Sequence, residues 1–156
     1  MSALQFTLKT SSFGIRGLDS IQWVLLLALR LWLAKVFFMS GLTKIQSWET
    51  TLMLFQYEYA VPFISASMAA VLATGVELVV PVLLVLGLST RINIVVLFVL
   101  NVIAAISYPD ISPAGEKDHI MWGLACAMLL FYGPGAASID YIVRRKWLEP
   151  VNETKE

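Results

Sequence analysis

Apolar residues in this chain gather into four long runs separated by short polar stretches. The runs extend from about Ile21 to Leu42, Ser65 to Leu88, Ile92 to Tyr108 and Ile120 to Tyr132, the last reaching His119 and Gly133 at its margins. A bilayer core about 30 Å thick is crossed by about 20 residues in helical form, so each run predicts a membrane span. Gly87 and Ser89 mark a tight turn between the second and third, with Ser89 or Thr90 as the helix cap. Gly133-Pro134-Gly135 stops the fourth, because proline cannot continue the hydrogen-bond ladder and glycine permits a sharp exit.

The connections carry their own pattern. Lys44 to Phe63 is too long for a simple turn, and within it Trp48, Thr51, Leu52 and Phe55 recur at helical spacing after Ser47. This predicts a short helix lying at the membrane interface, where Trp48, Tyr57, Tyr59 and Phe63 would be half wet and half apolar. The stretch from Pro109 to Asp118 is polar and holds two prolines, and is expected to be irregular. Ser138 and Asp140 are placed to start a short helix through Trp147. The predicted fold is therefore all-α: an integral membrane four-helix bundle with a short interfacial helix in its first outer loop. Residues 1–19 form an N-terminal segment, 20–147 the domain with spans at about 21–42, 65–88, 92–108 and 119–133, and 148–156 a frayed tail.

Composition agrees with this. Of 156 residues, 58% are hydrophobic and 14% charged, and the mean hydropathy is +0.77; ordinary soluble domains are roughly 25% charged. Eleven basic residues balance eleven acidic ones, which leaves no electrostatic basis for binding nucleic acid. Cys126 is the single cysteine and His119 the single histidine, so neither a disulfide within the chain nor a Cys or His metal cluster is expected. The first twenty residues carry Lys9 and Arg16 but no apolar run ending in a cleavage site, so the first span is expected to be retained.

Charge also sets an orientation. Lys9 and Arg16 precede the first span, Arg91 lies in the second turn, and Arg144-Arg145-Lys146 follow the fourth span. With four spans these fall on one side, while the opposite side has Glu49, Glu58, Asp110, Glu116 and Asp118 against Lys44 and Lys117. The positive-inside rule then puts both termini in the cytoplasm.

Inside the spans, polar residues stand out. A charge near a helix centre costs about 2.5–3.5 kcal/mol on insertion scales, and Arg30, Lys35, Glu77 and Asn101 all lie within predicted spans. Arg30 and Glu77 are each near the middle of antiparallel neighbours, which predicts a guanidinium–carboxylate pair. Pro81 removes the N–H that would bond the carbonyl of Glu77, predicting a kink and a polar pocket there. Lys44 returns to within about 40° of Arg30 if the helix continues, whereas Lys35 points about 140° away and would snorkel outward. His119, Trp122, Gly123 and Cys126 form one stripe, with His119 at the cavity mouth. Each residue also has a plainer reading. The Arg30–Glu77 pair would serve as a lock between helices, Asn101 as an interhelical hydrogen-bonding group, His119 as an interfacial polar residue, and Cys126 as a small buried hydrophobe. Ala69, Ala70, Ala73 and Gly75 would permit close helix packing.

Arg30, Ser40-Gly41-Leu42-Thr43-Lys44, Glu77, Leu86-Gly87-Leu88-Ser89-Thr90-Arg91, and Gly133-Pro134-Gly135 with Ser138-Ile139-Asp140 together resemble the DoxX family of small four-helix membrane proteins. The resemblance spans residues 24 to about 146. It departs at Leu33-Ala34-Lys35, where the family commonly has a glycine, and does not reach residues 1–19. It implies a bacterial or archaeal cytoplasmic membrane protein, related to subunits of thiosulfate:quinone oxidoreduction and of complexes that handle thiol stress. Arg30, Lys44 and Glu77 are its family-like polar residues.

Three functions follow as expectations. The first is a redox-associated membrane subunit, in which Glu77 and Arg30 act as the catalytic pair and Lys44, Asn101 and His119 contact substrate. No cofactor is built in; a bound quinone is the group the site would take, and electrons would come from an oxidoreductase partner. In this reading Glu77→Gln and Arg30→Ala abolish function while folding survives. The second is a non-enzymatic assembly subunit that recruits a soluble partner through Trp48–Tyr57 or Arg144–Lys146. The third is a small proton-coupled transporter, which four spans without a repeat would support only as a homo-oligomer.

Overall fold

A computed structural model describes the backbone of residues 3–148 and the side chains of residues 21–146. The expected tail beyond Leu148 and the side chains of Lys9 and Arg16 lie outside the described residues.

Among the described residues, six α-helices follow one another: α1 (Ala3–Gln46), α2 (Trp48–Tyr57), α3 (Ala66–Leu86), α4 (Thr90–Ser107), α5 (Pro113–Tyr132) and α6 (Ile139–Val143), the last running into a π-helical turn at Arg144–Leu148. Among the described residues, three stretches are long and apolar enough to cross a membrane: Ile21–Gln46, Ala66–Leu86 and Thr90–Ser107. The fourth long helix, α5, has 20 residues but opens on Glu116, Lys117, Asp118 and His119.

Helix boundaries depart from the sequence pattern for local reasons. Residues 3–20 contain no proline, and the helix of the first span starts at Ala3 instead of about residue 21. It also continues past Leu42 to Gln46, which brings Lys44 into helical register. Residues 113–118, expected to be irregular, form the first turns of α5. The Ser112 side chain accepts the amide of Gly115, and Pro113 at N1 is preset for the helix. α3 is helical through Pro81. Ser138 starts α6 as expected, accepting the Tyr141 amide at 3.1 Å.

The core lies between α1, α3, α4 and α5. Leu33, Leu84, Ile94, Leu97, Cys126 and Leu129 are fully buried there, with Phe37 and Val80 beside them. A smaller cluster joins Phe55 of α2 to Ala69 and Ala70 of α3. Those two alanines are the close-packing positions; Gly75, grouped with them by sequence, faces open space. The outer surface is apolar as well. Leu25, Leu72, Val79, Ile92, Ile106, Leu124 and Phe131 are all exposed, and in water such a surface would be a large unfavourable patch. Hydrocarbon is its natural solvent, since the helices satisfy their own backbone groups. Lys35 is exposed on α1, in keeping with its predicted outward direction.

The register of α1 against α3 decides where Arg30, Lys44 and Glu77 stand relative to one another. A Cβ at Gly41 would lie 2.9 Å from the Leu78 side chain and 3.0 Å from Cβ of Glu77. At the other end, a Cβ at Gly87 would lie 3.1 Å from Nη1 of Arg30. Arg30 therefore stands opposite the α3–α4 turn, three turns of α1 away from Glu77, roughly 16 Å along the axis.

Candidate functional site

That register separates the two residues expected to pair. Glu77 is bound by Lys44: Nζ lies 2.7 Å from Oε2 and 2.9 Å from Oε1. Ser40, one helical turn before Lys44, donates to Oε1 at 3.2 Å and accepts from Nζ at 2.9 Å. The absence of a side chain at Gly41 lets α3 approach closely enough for this contact. The group is tied to the next helix by Thr51, whose hydroxyl donates to the carbonyl of Lys44 at 3.0 Å. Side-chain exposure is 19% for Lys44 and 10% for Glu77, so the cation reaches toward an opening while the anion stays inside.

The opening is a cavity of about 310 Å³ between α1 and α2. Ser40, Thr43, Lys44 and Thr51 give it a polar wall, and Leu54, Phe55 and Tyr59 an aromatic and apolar one. Tyr59 is held by edge-on contacts with Phe55 at 4.9 Å and Tyr108 at 5.4 Å. Burial pushes its phenol above the ordinary range, with Tyr108, Glu58 and Glu77 adding to the effect. Thr74 is buried on α3, and its hydroxyl has no partner among the described residues. The combination of an ammonium, a carboxylate, hydroxyls and aromatic rings can hold a small polar ring or anion and can pass a proton.

Arg30 does different work. It is 1% exposed, and its guanidinium donates to the carbonyls of Pro134 at 2.8 Å and Ala137 at 2.5 Å, while Nε has no partner among the described residues. These carbonyls belong to the non-helical stretch after α5, where no backbone ladder is available to satisfy them. The same stretch is folded back by Gly133 and Gly135, with φ of +80° and +75°. Asp140 completes the arrangement. Its carboxylate accepts from the amides of Ser89 and Thr90, both at 2.7 Å, while its own amide donates to the Gly87 carbonyl. The cap of α4 is thus Asp140, from fifty positions away, and neither Ser89 nor Thr90, since Ser89 is left-handed and makes no side-chain cap.

Asn101 and His119 pair with each other. Asn101 donates to the His119 carbonyl at 2.9 Å, and its Oδ1 lies 2.8 Å from Nδ1 of His119. An amide oxygen is an acceptor, so Nδ1 carries the proton. The imidazole also meets Trp122 edge-on at 4.9 Å, and Trp122 meets Phe37 at 6.0 Å. Of the five residues singled out by sequence, the structure joins Glu77 to Lys44 and Asn101 to His119, and puts Arg30 in a third place.

A sequence model of the DoxX family matches residues 25–109, more than half of the chain, and so covers Arg30, Gly41, Lys44, Glu77, Gly87 and Asn101. The chain belongs to the DoxX family. This is a membrane family, often linked to redox metabolism, and the protein is accordingly an integral membrane protein. Comparison with curated proteins and with solved structures finds no match.

In this DoxX protein, sequence reasoning missed Ser40, Thr51, Tyr59 and Asp140 as parts of the polar groups. Ser40 had a usable signal, because it stands at i, i+4 to Lys44. Thr51 and Tyr59 bear on the site only because α2 folds back on α1, and Asp140 only because the chain returns to the α3–α4 turn.

Proposed function

We propose that this DoxX protein is a redox-associated membrane subunit whose ligand, a quinone headgroup or a small sulfur anion, sits in the cavity beside Lys44. The observation that carries the reading is the Lys44–Glu77 contact at 2.7 Å at the edge of a cavity with an aromatic wall. Lys44 donates to a quinone oxygen or a sulfur anion. Glu77, with Ser40 as relay, takes up from the aqueous side and passes on, one after the other, the two protons that a two-electron reduction of quinone to quinol consumes. Phe55 and Tyr59 pack against the ring. Two electrons per quinone come from a partner oxidoreductase, so the protein acts as part of a complex.

The topology that goes with this reading has four spans, α5 being the fourth, with α2 lying at the outer interface. Both termini, Arg91 and Arg144–Lys146 then face the cytoplasm of a bacterium or archaeon. Arg30 acts as a strut in this proposal: it holds the turn after α5 and contributes to the site only through the packing of the bundle. Asn101 and His119 support the same bundle from α4 and α5.

The test is the quinone content per protein of gently purified wild type, Lys44→Met and Glu77→Gln. Stoichiometric quinone in wild type, lost in folded variants, supports the site. Quinone absent from all three, with no protection of the cavity by thiosulfate or sulfite, sinks it and favours a subunit that only recruits its partner.

A further inference from the structure

A second cavity lies at the opposite end of the molecule, and the proposed redox reading makes no use of it. It is about 510 Å³ in volume and is bounded by the start of α4, the Gly133–Ala136 stretch and α6. Arg91 and Arg144 line it, together with Tyr132 and Tyr141. The acidic group in its wall, Asp140, already accepts from two backbone amides, so its charge is compensated locally. Thr90 also lines the cavity; it is fully buried, and its hydroxyl has no hydrogen-bond partner among the described residues. A buried hydroxyl left unbonded costs free energy, and a ligand oxygen would relieve it. Close by, the Arg91 guanidinium packs beside Gly133, where a Cβ would lie 3.7 Å from Nη2, an ordinary contact.

The rim is apolar where it meets the sides of the helices. Ile92, Tyr132 and Tyr141 line it and are all exposed. A free solute would find this rim no help, whereas the acyl chains and glycerol of a lipid would cover it. Basic pockets between spans on the cytoplasmic side are suited to anionic lipid headgroups.

We propose that this cavity binds the headgroup phosphate of an anionic phospholipid, with Arg91 and the Thr90 hydroxyl as its ligands and Arg144 adding positive charge to the wall. The lipid then bridges the α4 start and α6 and fastens the C-terminal helix to the bundle. The site is built from this chain's own residues and does not depend on what binds beside Lys44.

The experiment uses the full chain, purified in a non-ionic detergent and titrated with phosphatidylglycerol, phosphatidylcholine or inorganic phosphate, with bound lipid counted by native mass spectrometry. Phosphatidylglycerol is expected to bind saturably at one copy, and Arg91→Gln to weaken it by about tenfold, the worth of one charge-assisted hydrogen bond. Arg145→Gln removes the same charge outside the cavity wall and is expected to leave that site intact. Thr90→Val tests the hydroxyl without a change of charge, and is expected to weaken binding less than Arg91→Gln. Equal losses in Arg91→Gln and Arg145→Gln would mean diffuse attraction and overturn the site. Equal binding of phosphatidylcholine would overturn it too, as would inorganic phosphate competing as well as the lipid.

Discussion

Lys44 and Glu77 meet in a two-pronged contact, Nζ lying 2.7 Å from one carboxylate oxygen and 2.9 Å from the other. The two residues come from neighbouring antiparallel helices, so the pair is also a clamp between α1 and α3. Removing one partner leaves the other as an uncompensated charge in a low-dielectric place, and that is worse than removing both. Lys44→Met is therefore expected to destabilise the protein by about 3 kcal/mol. The double variant Lys44→Met/Glu77→Gln should recover most of that loss. Thermal unfolding in detergent, read as a double-mutant cycle, measures the coupling; additive losses would show that the two groups act independently.

Arg30 is a separate case. Its two carbonyl acceptors lie in a segment with no helical ladder, so Arg30→Ala orphans both. The expected loss is about 2–3 kcal/mol, and it should appear as local opening of the segment after α5. Limited proteolysis near Gly133–Ser138 is the direct readout. Arg30→Lys keeps the charge but cannot fork to two acceptors, and it should rescue only part of the protection. Ligand binding beside Lys44 is expected to persist in any Arg30 variant that stays folded, and its selective loss would place Arg30 in the site after all.

Gly41 is where α1 and α3 come closest. An added methyl meets Leu78 at 2.9 Å and Cβ of Glu77 at 3.0 Å, with a helix backbone behind both. Gly41→Ala should push the helices apart at a cost of about 1–3 kcal/mol. It should also weaken the Lys44–Glu77 contact without touching either charged group. Lower unfolding temperature together with lower ligand occupancy is the expected result. Gly75→Ala, facing open space, is the matched control and should be neutral or slightly stabilising.

How far the sequence led depends on which kind of information each feature needs. The apolar runs, the short helix after Ser47 and the Ser138 start of α6 rest on periodicity and caps, which are local, and they are legible in the chain. The outward direction of Lys35 follows from 100° per residue and is equally local. The pairing of Glu77 is different, because it depends on how far α1 is slid along α3. Placing two residues each near the middle of its own run assumes runs of equal extent, whereas α1 continues to Gln46 and shifts the register by three turns. The same shift turns Arg30 from a presumed partner of Glu77 into a support for a turn a hundred residues later. Asp140 as the cap of α4 was beyond reach for a similar reason: the local candidates Ser89 and Thr90 were chemically suitable, and only the three-dimensional return of the chain displaced them.

Asp140 offers a test of that long-range cap. Both of its carboxylate oxygens are used by backbone amides at the start of α4, which would otherwise be orphaned in a partly buried turn. Asp140→Ala should cost about 1–2 kcal/mol, the upper range for a helix cap. Hydrogen exchange should then rise at Ser89 and Thr90 first, before the middle of α4. Unchanged protection at those two amides would mean that another group takes over the cap.

The span count makes a prediction that separates three crossings from four. α5 has the length to cross, but its first turns carry Glu116, Lys117 and Asp118, and its apolar part is shorter than those of α1, α3 and α4. If α5 crosses, Phe63 and Glu116 lie on one side of the membrane and Arg145 on the other. Single cysteines at those three positions, introduced into a Cys126→Ala background, report this through a membrane-impermeant maleimide. In spheroplasts, positions 63 and 116 are expected to label and position 145 only after lysis. Labelling of 145 from outside, together with 63, would mean that α5 returns without crossing. The basic cluster at Arg144–Lys146 would then face the outer leaflet, contrary to the positive-inside rule. The energetic case for four spans is that α5 buries Ala125, Cys126 and Leu129 against the other helices. Its exposed positions on the far side, Leu124, Met128 and Phe131, are apolar and need lipid.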